Sequence, residues 1–537
     1  MTENEVEVLI VGGGPVGLAT SIELSRHGVS SLLVEKHEGT SIFPKARLVS
    51  TRTMEIVRSW GVQSAVEEAG LPRDDSLALG IGPTLTSPDF RREVARIHED
   101  APQSPTYNYI CAQDGFEVIL RELAESLPGG EVRFATRMTR LAVDDDGVTA
   151  TIADADGERQ VRARYVVAAD GSRSGVRESL GVAVTGPPPL SHMVSVLFDA
   201  DLGTLLHDRL GALYFVYGEV YCAVESVDNR RRWTLQTGYE PDQGESASDF
   251  THESCIELVR AAVGVADLPV RIVGMLPWIQ QAVVAEEFRS GRVFLVGDAA
   301  HVATPQGGFG MNCGIQDAHN LAWKLASVLR GEAGDALLDT YSTERRPVAD
   351  WTVQESLRNA LITIDMMEDR LTMQEAGDLQ AHRRRAEGLV LGYRYESPAV
   401  IADGTQAPAP EDPYETYLPT ARPGHRAPHV WLSHRGRQVS TLDLLGTSLT
   451  LLSPAGSGWD VAAAQAADRL DVPLDVLLIS PDDPAFPTSP TWAKEYGLTD
   501  TGAVLIRPDG HVAWRCAEGV PAADDLVKAV DAVLCRG

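Results

Sequence analysis

Paired cysteines are missing from this chain. Its six cysteines, Cys111, Cys222, Cys255, Cys313, Cys516 and Cys535, are scattered over 537 residues. None forms a Cys-x-x-Cys pair or a metal-ligand spacing, which excludes dithiol exchange chemistry and gives no zinc site, so no metal is expected. Long hydrophobic runs are missing too. No uninterrupted apolar stretch reaches the roughly 18 residues that a membrane span needs. The start, Met1-Thr2-Glu3-Asn4-Glu5, lacks the basic and apolar regions of a signal peptide, and a cytoplasmic location is the expectation. Positive charge is scarce: 47 Lys and Arg stand against 76 Asp and Glu, a formal net charge of -29 with a pI near 4.8. Nucleic acid is therefore not an expected partner, because binding it needs a basic face. An anionic small ligand would have to be held by local amides and cations, for which Lys45, Arg47 and Arg52 are the candidates. The 44% apolar content is ordinary for a globular chain, and the length suffices for several domains.

What the chain does have is glycine at particular places. Val6, Val8, Leu9, Ile10 and Val11 read as a buried strand, and Gly12, Gly14 and Gly17 supply G-x-G-x-x-G with Pro15 and Val16 inside it. A helix pattern runs to about His27, with Gly28 as its stop. A second strand covers 31–34 and ends at Glu35 and Lys36. In such a fingerprint the first glycine makes the tight turn, the second admits a pyrophosphate, and the third lets helix and strand pack. Glu35 is placed to accept hydrogen bonds from a ribose. A lone G-x-G-x-x-G is a weak signal, but strand, helix, strand and acid in register are a strong one.

A second site of the same kind appears far down the chain. A strand ends at Val296 and delivers Gly297 and Asp298. A turn with Gly307, Gly308 and Gly310 follows, and a helix begins near Cys313. Glycines let backbone amides approach a ligand closely, and a helix N-terminus adds partial positive charge. With the phosphate role already taken by the first fingerprint, this turn suits a delocalised anion such as a reduced flavin ring. A third segment, the apolar strand 165–169, delivers Asp170-Gly171, with Arg173 and Arg177 after it.

Three glycine/acid motifs in this order resemble the class A flavoprotein monooxygenases, the p-hydroxybenzoate hydroxylase fold group. Phe43-Pro44-Lys45-Ala46 with Arg52-Thr53-Met54-Glu55 resembles the His-Pro-Arg-Ala…Arg-Thr-Met-Glu stretch of aromatic polyketide hydroxylases, and Cys111-Ala112-Gln113-Asp114 resembles their flavin-contacting Gln segment. His192-Met193-Val194, Phe198 to Leu202, Leu391 to Tyr395 and Leu505 to Trp514 are similar to the aklavinone-11-hydroxylase-like members. The likeness spans essentially the whole chain. Phe43 and Lys45 stand where the family usually has His and Arg, and a lysine cannot make an arginine's bidentate contact.

The resemblance implies an FAD-dependent monooxygenase. It would use NADPH or NADH and molecular oxygen, pass through a flavin hydroperoxide, and hydroxylate a small aromatic substrate, phenolic or polycyclic. It places FAD on Gly12, Gly14, Pro15, Val16, Gly17, Glu35, Lys36, Lys45, Arg47, Gln113, Asp170 and Asp298. The turn of Pro305, Gly307, Gly308, Gly310, Met311 and Asn312 would lie under the isoalloxazine, with Asp298 at the ribityl chain. Pro305, Gly308, Met311 and Asn312 form the expected ring environment, and Tyr214 is a candidate for the substrate pocket. The Asp170-Gly171 motif also serves NADPH in the family, and no second complete G-x-G-x-x-G is present for a separate nicotinamide domain. A Baeyer–Villiger-type flavin oxygenase and a non-catalytic FAD- or intermediate-binding protein are the alternatives. A monomer or a homodimer is expected.

The organisation follows from composition and periodicity. The fold class is α/β: a Rossmann-like FAD-binding domain from 1–185 and 285–400, an inserted mixed β-sheet substrate domain at 186–284, and a C-terminal thioredoxin-like domain at 408–537 without Cys-x-x-Cys. Within the first part, Asp144 to Gly147 and Asp154 to Gly157 read as hairpin turns rather than calcium loops, since the EF-hand spacing is absent. Gly186-Pro187-Pro188-Pro189 marks a boundary. Strands are expected at 194–200, 212–216, 220–224, 232–237 and 270–276, with a helix at 255–263. The last part reads strand 449–452, helix 459–470, strand 474–479, a hairpin through Pro508-Asp509-Gly510, and helix 522–534.

Overall fold

The computed structural model describes residues 5–72, 78–94, 102–367, 375, 383, 385–434, 437–479, 492–519 and 522–536. Its first sheet runs Arg289–Ser290, Val293–Leu295, Gly157–Ala168, Glu5–Val11, Ser31–Val34, Gly130–Arg133. From Val293–Leu295 across to Gly130–Arg133 every pairing is parallel. Parallel strands are covered on both faces, which is why Val8, Leu9 and Ile10 form an unbroken apolar run and are fully buried. The helices Pro15–Arg26 and Gly310–Leu329 pack against each other over this sheet. Arg137–Val143 and Val148–Asp154 extend it as a meander onto Gly157–Ala168. The turn between those two strands is made by Asp144, whose carboxylate accepts from the Asp146 and Gly147 amides at 3.0 Å.

A second sheet runs Arg271–Gln280, Ser191–Asp199, Arg232–Tyr239, Tyr221–Ser226, Leu213–Tyr217, Ala78–Gly82, Arg91–Val94. The helix His252–Val263 covers one face. It opens on a reciprocal Thr251–Ser254 cap and stops at Gly264, whose φ of +83° lies in the left-handed region. Val194, Val196, Phe198, Trp233, Leu235 and Val259 fill the space between. Two strands of this sheet come from 78–94, outside the expected 186–284 segment. Ala78–Gly82 joins by parallel pairing to Leu213–Tyr217, a contact between segments far apart in sequence that periodicity does not reveal.

The third unit orders its strands Leu474–Ile479, Leu449–Pro454, Ala503–Ile506, Val512–Cys516. Trp459–Leu470 connects the parallel pair, and Ala523–Val533 closes the domain against it. Strand, helix, strand, hairpin and helix thus follow in the expected order. The hairpin tip at 507–511 is driven into the first unit. Arg507 donates twice to Glu344, at 2.6 and 2.7 Å, and Lys324 donates to the same carboxylate at 2.7 Å. Asp509 accepts from Asn320 and Trp323, and its carbonyl accepts from Arg52 at 2.6 Å. Every charged group in this joint is at most 5% exposed. Among the described residues no helix is long and apolar enough to cross a membrane.

Candidate cofactor site

Three turns meet at the carboxyl ends of three adjacent parallel strands, where open α/β sheets bind ligands. The strand ends are tied across: Gly12 donates to Val34, Ala169 to Val11, and Val296 to Ala168. Gly12 has a φ of +111°, and a Cβ there would lie 2.3 Å from the Ala169 carbonyl oxygen. A Cβ on Gly17 would lie 1.9 Å from the Gly12 oxygen, so no side chain fits without moving backbone. At Gly14 the same construction meets nothing within 4 Å. The first and third glycines are thus demanded by the protein itself. The second faces open space, the room a pyrophosphate needs to reach the helix N-terminus.

Glu35 closes this end of the cleft. Its carboxylate accepts from the Gly13 amide at 2.7 Å and from the His37 amide at 2.9 Å. Burial alone would raise its pKa, but these bonds and the His37 ring outweigh burial and hold it below the usual carboxylate range. Lys36, next to it, is exposed.

The second turn lies directly beside the first. A Cβ on Gly314 would come within 2.5 Å of the Val16 side chain and 2.9 Å of the Gly297 Cα. The Val16 side chain is therefore a wedge between the two turns, and Pro15 is buried at the first helical position. Asp298 faces the open cleft with protein around its other sides. That burial raises its carboxyl pKa, and the charges of His301 and Lys45 oppose the rise. Gly307 and Gly308, with φ of +106° and +66°, turn the chain into the Gly310–Leu329 helix. No side chain caps that helix, so its opening amides at Gly310, Met311 and Asn312 are available to an anion. Asn312 fixes their position. Its Oδ1 accepts from the Ser50 amide at 2.9 Å, and its Nδ2 donates to Leu48 and Gly308 carbonyls at 2.8 and 2.6 Å. Pro305 and Gly307 are exposed beside it, while Met311 is buried.

Several sequence expectations need correction. Arg47 is not a free cation for an anionic ligand. Its guanidinium pairs with Glu225 at 2.9 Å and donates to the Ala212 and Ser226 carbonyls, holding the second sheet to the first unit. Arg52 is likewise spent, on Glu55 and the Asp509 carbonyl. Lys45 is exposed and is the member of this trio felt at Asp298. Gln113 is buried, accepting from the Ala46 amide and donating to Glu117, so its side chain braces the 43–47 loop. Asp170 caps the short helix Gly175–Ser179 through Ser174 and the Val176 amide. From that helix Arg177 reaches the Ala299 carbonyl at 3.0 Å, strapping the third turn to the second.

Tyr214 does not line a cleft. It is fully buried against Phe90 and Trp233, with its hydroxyl donating to the Arg209 carbonyl at 3.2 Å. Strand alternation puts its neighbour Phe215 on the opposite face. That face also carries Trp278, which donates to Ser195 at 2.9 Å, and Gln236, which donates to Glu225 at 2.8 Å. It looks onto the cofactor turns: Gln280, at the end of the strand, donates to Gln306 in the 305–309 turn at 2.9 Å.

The relationships of the chain agree with this geometry. The family model for the FAD binding domain matches residues 5–356, and that for the aromatic-ring hydroxylase C-terminal domain matches residues 420–536. The tetracenomycin A2 monooxygenase-dioxygenase of Streptomyces glaucescens is 39% identical, covering 100% of this chain and 98% of that one. The 4-methyl-5-nitrocatechol 5-monooxygenase of a Burkholderia species is 39% identical over 99% and 98%. The crystal structure of aklavinone-11 hydroxylase with FAD and aklavinone superposes with a TM-score of 0.88 at 37% identity, covering 100% of both chains. The chain belongs to the FAD-dependent aromatic-ring hydroxylases, a family of flavoprotein monooxygenases. FAD is its cofactor, and NAD(P)H is the reductant the family implies.

Proposed function

We propose that this enzyme hydroxylates a phenolic or polycyclic aromatic substrate, with FAD lying across the first two glycine turns and the seven-stranded sheet forming the wall over it. One observation carries the reading. Glycines 12, 17, 297 and 314 are crowded by protein where the turns abut, whereas Gly14 opens on empty space. FAD, reduced by NADPH or NADH, supplies the activation of molecular oxygen for transfer to an electron-rich ring. The chain's own residues supply place and dryness. The Gly14 end receives the pyrophosphate. Glu35, held ionised, is within reach of the ribose. Asp298 takes the ribityl hydroxyls, and Lys45 offsets the negative field around the phosphates. The opening amides of the Gly310–Leu329 helix face the pyrimidine end of the ring, with Pro305, Gly308, Met311 and Asn312 around it.

The substrate lies between that turn and the sheet face bearing Phe215, Trp278 and Gln236, two aromatic surfaces and one amide, which suits a flat ring with a polar substituent. Closing the sheet over the turns excludes water, on which coupling of reductant to product depends. The relatives named for tetracenomycin and aklavinone point to a polycyclic substrate, and the one named for nitrocatechol to a phenol. Use of NAD(P)H suits a cytoplasmic location.

The test is turnover under oxygen-18 gas with a panel of polycyclic phenols, hydroquinones and ketones. Label in a new ring hydroxyl is the expected result, with NAD(P)H consumed one-for-one only when a matching ring is present. Label in an inserted ester oxygen without ring hydroxylation would instead identify a Baeyer–Villiger oxygenase. FAD bound without any labelled product would identify a binding protein. Gly14→Val should purify colourless; a yellow, fully loaded variant would refute the placement of FAD.

A further inference from the structure

Behind the second glycine turn lies a buried ionic cluster joining three elements. Asp317 stands on the Gly310–Leu329 helix, His301 follows the Gly297–Ala299 turn, and Arg345 comes from the Ala336–Met367 helix; none is more than 1% exposed. One carboxylate ties them together. Its Oδ2 accepts from the Gly297 amide at 3.0 Å and from His301 Nε2 at 2.7 Å, and its Oδ1 accepts from Arg345 Nε at 2.7 Å. Arg345 goes on to the Cys313 carbonyl, one helical turn earlier, and to the Tyr395 hydroxyl, both at 3.1 Å. Phe288 stacks on the His301 ring and fixes its plane.

His301, Cys313 and Asp317 bring potential metal-ligand atoms within 4.8 Å of one another. A cation is already there: the Arg345 guanidinium reaches both Asp317 and the Cys313 sulfur. Burial alone would neutralise these groups. At His301 it is outweighed by Cys313 and Asp317, which raise the ring's pKa, and at Asp317 by His301 and Arg345, which lower the carboxyl's. A buried cluster of this kind gains little net stability over an apolar packing, but it permits very few arrangements of the groups it joins.

We propose that Asp317 is a positioning residue for the flavin site. Through Gly297 and His301 on one side and Arg345 on the other, it locks the Gly297–Asp298 turn to the first turns of the helix. The Asp298 carboxylate and the helix's opening amides then converge on one ligand. The inference rests on the reading that this cleft holds FAD.

The test uses the full-length enzyme stripped of FAD. Asp317→Asn keeps the shape and removes the charge. FAD is titrated back at a temperature where circular dichroism shows the variant folded. The expected result is a Kd raised by about tenfold or more, the order of one lost charge-assisted hydrogen bond, together with an altered absorption band of the bound flavin. A lower melting temperature with unchanged FAD affinity and spectrum would mean a structural role only and would overturn the proposal. If Asp317→Asn does not fold, His301 decides. His301→Gln keeps a donor near the Nε2 position and should bind FAD within about threefold of the parent, while His301→Leu should lose about tenfold. Equal affinities for those two variants would overturn the proposal as well. Loss of FAD by Gly14→Val alongside full retention by Asp317→Asn would sink the positioning role and leave the cofactor site standing.

Discussion

Two glycines three residues apart should fail in opposite ways. A methyl group on Gly14 meets nothing within 4 Å in the protein, whereas one on Gly17 would sit 1.9 Å from the Gly12 carbonyl oxygen. Gly14 is also the N-cap of the Pro15–Arg26 helix, and replacing a tolerated cap by alanine costs about 1 kcal/mol. Gly17→Ala must push the Gly12 backbone away by more than an ångström, against a turn whose φ of +111° is already restrictive. That overpacking should cost about 3 kcal/mol or more. Ligand binding inverts the order. In the proposed placement the space in front of Gly14 receives the pyrophosphate, so Gly14→Ala should weaken FAD by about 100-fold, or about 2.7 kcal/mol. Urea unfolding of the apoproteins gives the first quantity, and quenching of flavin fluorescence during titration gives the second. The reasoning fails if Gly14→Ala binds FAD as the parent does, or if the Gly17→Ala apoprotein unfolds at the parent's urea concentration.

Acid should destabilise the enzyme well before its carboxylates titrate. His425, His429 and His511 are buried, and burial lowers each to about 4. The unfolded chain takes up these protons near pH 6.5 and the folded chain only near 4, so stability is full above about 6.5 and falls between those values. His27, also lowered to about 4, adds to the fall, and His301, whose pKa is raised, is protonated in both states below about 6.5 and does not offset it. Urea midpoints across that window should drop, and a flat profile would contradict the assignment. Asn312→Ala leaves the Ser50 amide and two carbonyls without their partner in a site 3% exposed. It should cost about 2–4 kcal/mol in urea unfolding and weaken FAD, and unchanged values on both counts would refute its bracing role. Cys516→Ser combined with Cys535→Ser should leave turnover unchanged, because the C-terminal domain carries no thiol pair for exchange; a folded double variant with much reduced turnover would show otherwise.

The glycine roles were legible in the sequence because they are local. The spacing of Gly12, Gly14 and Gly17 already sets one glycine in the turn and one in the packing, where the structure crowds Gly12 and Gly17, and leaves Gly14 open. The C-terminal domain was legible for a similar reason: Leu449–Pro454, Trp459–Leu470 and Leu474–Ile479 alternate between strand and helix periods over short, well-punctuated segments. Side-chain direction was not. Tyr214 and Phe215 differ only in which face of one strand they occupy, and a strand's facing is set by its partners. The fates of Arg47 and Arg52 depend on acceptors 178 and 457 residues away. Charge counting cannot tell a cation waiting for a ligand from one already paired. Asp317 could have been suspected, since a carboxylate buried on a helix seven residues past Gly310 needs a partner. Its actual partners, His301 and Arg345, are brought together only by the packing of separate helices and a turn.

The hairpin tip at 507–511 bears on how the molecule is made. A chain emerges from the ribosome amino end first, so residues 5–356 are complete long before Arg507 appears. Until then Glu344 has Lys324, Asn320 and Ser397 but not Arg507, and Asn320 and Arg52 lack Asp509. The hairpin seats on the Gly310–Leu329 helix, whose opening amides face the flavin in the proposed placement. A ribosome stalled just short of Arg507 should therefore hold a nascent chain that releases FAD more readily than the finished enzyme.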